Sequence, residues 1–210
     1  MRHLTALLAV FPLAIASALA EDDTDTLMKN TAITGALLSW GAVTLWGDRP
    51  VEAGLSIGPK RHVGVSAGQD AQSGLAGIMA GWDFGHNLID RRSWRLRGQW
   101  EVDLSGWWAD HRRRRNQSGV MLGLTPVLQY EYRSSYRPYV EFGIGARYLS
   151  DTHLADYDKS TQFQFGDLMG FGVSLKDLQV GFRFLHISNA GIETPNPGTN
   201  YYSIKLDYAF

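Results

Sequence analysis

A histidine and a serine two positions apart, His186 and Ser188, are the residues of this 210-residue chain best suited to catalysis. They end a segment, 178–188, whose earlier even-numbered positions are mostly apolar, as expected of a β-strand with one apolar face. Residues two apart on a strand share a face, so the imidazole could take the hydroxyl proton and make the serine a nucleophile. Polar side chains on an apolar, lipid-facing wall cost stability, which indicates that these two have a function. The alternative is a polar strand end that meets a loop, because this spacing also occurs by chance.

Neighbouring segments supply two more polar side chains to the same region. A two-residue turn at 176–177 joins the strand of His186 to the preceding one, and counting back from it puts Asp167 opposite His186. A carboxylate there could fix the imidazole tautomer and stabilise its cation, which is the task of the acid in a serine–histidine–acid triad. The alternative is that Asp167 is a structural partner of a loop residue or of a bound cation. On the other side, Asn200 lies near the start of the last strand and faces outward.

The elements that must position these residues are β-strands. From about residue 61, apolar and polar residues alternate within segments that are separated by turn residues. This pattern is typical of a transmembrane β-barrel. The predicted strands are 61–69, 74–85, 92–107, 117–132, 136–149, 161–175, 178–188 and 200–210. Short connections alternate with long ones, so the loop after Ser188 is predicted to be extracellular. The sequence therefore predicts an all-β fold, an eight-stranded antiparallel transmembrane β-barrel with an N-terminal extension.

Aromatic residues and the end of the chain favour a barrel over a soluble β-sandwich. From Tyr202 to Phe210 the even positions are apolar or aromatic, and this alternation before a terminal phenylalanine resembles the C-terminal signal of bacterial outer-membrane proteins. Tryptophans are predicted to form interfacial girdles at positions Trp82, Trp94, Trp100, Trp107 and Trp108.

The N-terminal residues predict export. Residues 1–20 have a short positive start, an apolar stretch and an Ala18-Leu19-Ala20 cleavage site, which is the pattern of a secretory signal peptide. The apolar stretch is too short for a transmembrane anchor. Residues 21–60 form an N-terminal extension without clean periodicity, for which a periplasmic arm, an interfacial helix, an inward plug and two further strands stay open. The barrel, with its site on the outer wall, covers 61–210, and we expect it in the outer membrane of a Gram-negative cell.

Composition excludes several classes of function. The formal net charge is −1, which argues against a nucleic-acid binder driven by charge. The absence of cysteine excludes disulfide scaffolds, cysteine-based zinc sites and thiol nucleophiles. No nucleotide-binding loop or metalloprotease motif occurs, so neither a cofactor nor a metal is expected. A transport pore is not expected either, since side chains fill the lumen of so small a barrel.

A longer motif around the histidine and serine carries a family resemblance. The run His186-Ile187-Ser188-Asn189-Ala190-Gly191, followed by Pro195-Asn196-Pro197-Gly198, resembles the lipid A 3-O-deacylases of Gram-negative outer membranes, the PagL family. The segments 141–145 and 163–167 are similar too. The resemblance covers about residues 61–210 and leaves residues 21–60 outside it.

The resemblance implies a hydrolytic site on the outer wall of the barrel, near the external leaflet. It makes Ser188 the nucleophile, His186 the base, and Asn189, with Gly191 nearby as a backbone donor, the oxyanion hole. It further implies that the substrate is the ester-linked 3-hydroxyacyl chain at position 3 of lipid A, hydrolysed through an acyl-serine intermediate.

One position departs from the family pattern. The triad acid of the best-known members is a glutamate fourteen residues after the histidine, and that position here is Asn200. An amide can orient an imidazole, but it cannot stabilise the imidazolium by charge. We expect Asn200 to orient His186, with electrostatic help from Asp167. Glu193, in the loop, is a weaker candidate for the missing carboxylate.

A run of arginines in a predicted extracellular loop has the chemistry to bind phosphate. Guanidinium groups bind phosphate with two hydrogen bonds, which suits the phosphates of lipid A, although an ordinary solvated loop is an equal alternative. The residues are Arg112, Arg113, Arg114 and Arg115.

Three functions compete on the sequence alone. The first is a lipid A 3-O-deacylase, a serine esterase whose partners are lipopolysaccharide and other outer-membrane lipids, with no nucleic acid. The second is a non-catalytic barrel that binds lipopolysaccharide or stiffens the membrane. The third is an outer-membrane phospholipase that uses the same residues on another ester. A homodimer is one oligomeric state that the sequence leaves open.

Overall fold

The chain forms two helices followed by strands. The computed structural model describes residues 24–210, so the predicted signal peptide lies outside the described residues. The helices are α1 (Thr24–Trp46) and α2 (Pro50–Leu55). The long strands are β1 (Ile57–Gln69), β2 (Ser73–Phe84), β4 (Trp94–Ala109), β5 (Ser118–Tyr132), β6 (Pro138–Leu149), β9 (Phe163–Leu175), β10 (Leu178–Ser188) and β11 (Thr199–Ala209). The two-residue strands are β3 (Ile89–Asp90), β7 (His153–Leu154) and β8 (Tyr157–Asp158).

The eight long strands close into an antiparallel barrel. They pair in the order β2-β1-β11-β10-β9-β6-β5-β4, and β4 also pairs with β2, which closes the ring. This confirms the predicted fold class. The predicted strand limits agree to within a few residues, the largest difference being the first strand, which begins at Ile57 instead of 61. β7 and β8 form a small hairpin in the connection between β6 and β9, on the side of the barrel that is predicted to be extracellular.

Alternation along the strands separates an apolar outer wall from a polar lumen. On the outer wall Val65, Ile78, Leu122 and Ile204 are each between 50% and 61% exposed, and this band is the surface that a bilayer covers. The intervening residues point inward and are buried or half-buried. The side-chain period of two therefore decides which groups meet lipid and which meet the barrel axis.

Four charged side chains neutralise one another across the lumen. The Arg183 guanidinium binds Glu101 through two N–H groups, at 2.6 and 2.8 Å, and its Nε donates to Glu141 Oε1 at 2.6 Å. Lys205 Nζ donates to the other Glu141 oxygen at 3.1 Å. A Cβ on Gly170 would lie 2.8 Å from Glu141 Oε1, so glycine is needed to make room for the carboxylate.

The extracellular half of the lumen is an apolar core. Its buried members include Leu75, Trp107, Met121, Leu149, Leu168, Leu185, Ile187 and Tyr201. The prediction that Trp107 belongs to an interfacial girdle is wrong, because its side chain points into this core and is 3% exposed. Its neighbour Trp108 faces outward and is 50% exposed. The prediction assigned both tryptophans to the outer face. Adjacent residues on a strand point in opposite directions, so only one of the two can face outward.

Helix α1 packs on the outside of the barrel. It contacts β5, β6, β9 and β10, and Ala32, Ala36 and Ser39 are buried against that wall. A Cβ on Gly35 would lie 2.2 Å from the outward-facing Phe142 ring, so these small residues let the helix approach closely. Neither α1 nor α2 is both long and apolar enough to cross a membrane as a helix. Because residues 24–46 and 50–55 are helical and α1 lies outside the barrel, an inward plug and two further strands, two of the alternatives for residues 21–60, are wrong.

The lumenal charge cluster makes Glu141 a test of barrel stability. We expect Glu141→Gln to lower the free energy of unfolding by about 3 kcal/mol, because it leaves Arg183 and Lys205 buried with one carboxylate between them. Urea titration in detergent micelles measures the change.

The matched control is Asp177→Asn, which breaks the exposed ion pair with Lys60 at the periplasmic rim. An exposed pair contributes less than about 1 kcal/mol. Equal destabilisation by the two variants would contradict a structural role for the lumenal cluster.

Candidate active site

β10 presents His186 and Ser188 on its outward face, at the end that leads into the extracellular loop 189–198. The register predicted from the turn is confirmed, because His186 lies opposite Asp167 of β9. On the other neighbour, β11, it lies opposite Asn200. His186 and Asp167 are buried and Ser188 is half-buried. The sequence therefore located these four residues in one patch of the outer wall.

A short hydrogen bond orients the imidazole. His186 Nδ1 lies 2.6 Å from Asn200 Oδ1. An amide oxygen only accepts, so the shared proton belongs to Nδ1 and the lone pair of the ring belongs to Nε2. This is the tautomer that a general base needs if Nε2 is to take the proton of a serine hydroxyl.

Gly198 closes one side of the imidazole. A Cβ at this position would lie 2.4 Å from His186 Cε1 and within 3.4 Å of both ring nitrogens. The loop backbone therefore packs directly on the ring, and a larger residue would displace it. Together with the bond to Asn200, this contact holds the ring from two sides.

Asn189 organises the turn that follows Ser188. Its Oδ1 accepts from Gly191 N at 2.8 Å, and its Nδ2 donates to Glu193 O at 2.9 Å and to Lys159 O at 3.2 Å. Its own backbone N–H donates to Asn196 Oδ1 at 2.9 Å. The two residues implied as oxyanion donors thus point their donors at acceptors of the protein.

Backbone geometry explains the residue types of this turn. Ala190 and Gly191 have φ values of 55° and 81°, both in the left-handed region. Glycine adopts this region without steric cost, whereas alanine pays about 1 kcal/mol or more. The Asn189 side chain, which bonds the backbone two residues on, is the usual means of holding such a turn.

The arginine run lies far from this patch. It belongs to the loop between β4 and β5, and β4 is four strands from β10 in either direction around the barrel. Arg114 binds Asp110 at 2.9 Å and Asp156 at 2.7 Å, and these hydrogen bonds hold the pKa values of both carboxyls below their usual range. The structure therefore does not bring the arginines to His186. Phosphate binding by the exposed Arg112, Arg113 and Arg115 stays a prediction.

No metal site accompanies the patch. Within residues 24–210, no group of three or more histidine, aspartate or glutamate side chains converges as metal ligands do.

Comparison with known proteins points to one enzyme family. Residues 74–209 match the family model described as lipid A 3-O-deacylase (PagL). The chain belongs to the PagL family. The PagL structure described as that of an outer-membrane enzyme superposes with a TM-score of 0.65 at 27% identity, covering 70% of this chain and 98% of the other.

Two curated PagL relatives extend the match. The lipid A deacylase PagL of Pseudomonas aeruginosa is 31% identical over 145 residues, which cover 68% of this chain and 82% of the relative. The lipid A deacylase PagL of Bordetella bronchiseptica is 37% identical over 111 residues, which cover 52% of this chain. The aligned segment spans 61% of the Bordetella protein.

Two residues that support the patch cannot be recognised from the sequence. Gly198 lies in a Pro-Asn-Pro-Gly run, which does not reveal that its lack of a side chain makes room for the imidazole. For Lys159, nothing in a loop sequence signals that a lysine turns inward. Its side chain is fully buried below the loop 189–198.

Gly198→Ala tests whether the ring position matters for reaction. We expect hydrolysis of a soluble acyl ester to slow by about tenfold to a hundredfold, because the new methyl group displaces the imidazole and small misplacements are costly in catalysis. The rate is measured with the refolded barrel in detergent.

Gly41→Ala is the matched control, since a Cβ at that helical position has no neighbour within 4 Å. It should leave the rate unchanged. A Gly198→Ala enzyme within twofold of wild type would show that the ring is not held by this contact.

Proposed function

We propose that this protein is a lipid A 3-O-deacylase of the outer membrane, a serine esterase that removes the 3-hydroxyacyl chain from position 3 of lipid A. The observation that carries the proposal is the bond between His186 Nδ1 and Asn200 Oδ1 on the outer wall, with Ser188 two residues further on. Membership of the PagL family supports the substrate, since the relatives bear the name lipid A deacylase.

The first half of the reaction acylates the enzyme. As Ser188 Oγ attacks the ester carbonyl carbon, His186 Nε2 takes the hydroxyl proton. The tetrahedral intermediate then collapses, the bond to the oxygen at position 3 breaks, and His186 returns the proton to that oxygen. Deacylated lipid A leaves, and the 3-hydroxyacyl chain stays on Ser188 as an ester.

The second half releases the acyl chain. His186 Nε2 takes a proton from a water molecule that attacks the acyl-serine carbonyl, and Ser188 leaves with that proton. A site at the extracellular end of the wall suits this step, because the acyl chains lie along the barrel while water reaches the headgroup region. The products are a free 3-hydroxy fatty acid and the regenerated enzyme.

Asn200 takes over one of the two tasks of a triad acid. Its oxygen fixes the tautomer of His186, but a neutral amide contributes no charge to stabilise the imidazolium. Asp167, opposite His186 on the other neighbouring strand, supplies a carboxylate at that level of the wall. We propose that Asn200 orients the ring and that Asp167 contributes the electrostatic part.

The oxyanion hole is proposed at the turn after the nucleophile. Gly191 N–H now bonds Asn189 Oδ1, so stabilising the intermediate requires this N–H to exchange the amide oxygen for the substrate oxyanion. The Asn189 side chain would then keep the turn in place through its bonds to Glu193 O and Lys159 O.

Mass spectrometry of lipid A tests the proposed function. Expression in a Gram-negative host that lacks such an enzyme should yield lipid A that has lost one 3-hydroxyacyl group. The Ser188→Ala variant should fold into the outer membrane as the wild type does. It should leave lipid A intact, because it lacks only the nucleophile.

The possible outcomes separate the competing functions. Unchanged lipid A together with free fatty acid from phospholipids would favour a phospholipase. Unchanged lipid A and unchanged phospholipids, with the barrel folded, would favour the non-catalytic barrel and overturn the proposal.

A further inference from the structure

Lys159 is buried between the strand of the nucleophile and the loop that follows it. It lies between β8 and β9, and its Nζ donates to Ile187 O at 3.0 Å, to Pro197 O at 2.5 Å and to Thr199 Oγ1 at 3.0 Å. An ammonium group has three N–H donors and no acceptor, so these three oxygens use all of them.

The three acceptors share one property: each belongs to the residue immediately before a residue of the candidate active site. Ile187 precedes the nucleophile and Pro197 precedes the glycine that packs on the imidazole. Thr199 precedes the asparagine that bonds His186 Nδ1. One side chain therefore ties the end of β10, the end of the loop 189–198 and the start of β11 to a single point.

The backbone of the same lysine reinforces the arrangement. Lys159 O accepts from Asn189 Nδ2 at 3.2 Å and from Gln164 Nε2 at 3.2 Å. The turn after Ser188 and the start of β9 thus meet at one residue. Side chain and carbonyl together hold both sides of the loop.

The position is costly for a lysine. Within residues 24–210 no carboxylate lies within 4.0 Å of Nζ, and burial lowers its pKa to about 7, although the charge of Asp70 acts in the opposite direction. A buried lysine without a paired charge costs stability, and hydrogen bonds to neutral oxygens offset only part of that cost. A methionine of similar length would fill the space without that cost, but it could not bind the three oxygens.

We propose that Lys159 is a positioning residue of the active site, whose ammonium group holds the end of the loop 189–198 against the paired ends of β10 and β11, so that Gly198 and Asn200 keep His186 aligned with Ser188. The proposal rests on the proposed serine-esterase function. Lys159 touches none of the reacting atoms. It acts through the three oxygens that it holds.

Lys159→Met removes the donors while keeping the length of the side chain. We expect kcat on a soluble acyl ester to fall by about tenfold to a hundredfold, with KM within about twofold, because the alignment is lost and the acyl-binding wall is unchanged. Amide hydrogen exchange of the peptide 187–200 should accelerate. Lys60→Met, which removes an exposed lysine at the periplasmic rim, should change neither.

Thr199→Val is a milder second variant. It deletes one acceptor, leaves the lysine in place and keeps the shape of the side chain. A smaller loss of kcat, about threefold to tenfold, is expected, and this variant decides the question if Lys159→Met fails to fold.

The readouts separate this proposal from the proposed function. If both variants keep the kcat of the wild type and the slow amide hydrogen exchange of the peptide 187–200, the positioning role of Lys159 is overturned. An inactive wild type would overturn the esterase function, while the exchange measurement would still show whether Lys159 holds the loop.

Discussion

Closure of the antiparallel hydrogen-bond ladder is the constraint on which the rest of this molecule depends. In a bilayer every backbone N–H and C=O of a strand must bond another strand, and the pairing of β2 with β4 leaves no open edge. Closure fixes the register, and the register fixes which side chains meet lipid. The even positions of β10 therefore face outward, so that His186 and Ser188 stand on the wall where lipid lies rather than in the lumen.

The lumen and the outer wall are therefore two different environments, and their polar side chains are arranged differently. In the lumen Arg183 and Lys205 face Glu101 and Glu141, so the buried charges cancel. Among residues 24–210, no such charge cluster forms on the outer wall. Polar side chains there occur together at the extracellular end of β9, β10 and β11, where water and headgroups begin. Polar side chains on an otherwise apolar wall cost stability, which indicates a functional role rather than a structural one.

The sequence predicted what depends on local repetition, and it failed where distant segments meet. Alternation and one short turn were enough to place Asp167 and His186 side by side, because antiparallel pairing propagates register from the turn. The same reasoning could not find α1 on the outer wall, since helix and barrel touch through small residues such as Gly35. It could not find Lys159 either, because the burial of a loop lysine is decided by the strand ends that surround it.

The central claim is that an amide oxygen, not a carboxylate, orients the catalytic imidazole. The most direct measurement is the rate at which a fluorophosphonate labels Ser188 in the folded barrel, with the labelled peptide identified by mass spectrometry. Asn200→Ala should label at least about tenfold more slowly than wild type, and Asn200→Glu should label at least as fast, because glutamate keeps the acceptor and adds charge. Labelling of Asn200→Ala at the wild-type rate, or of a residue other than Ser188, would contradict the account.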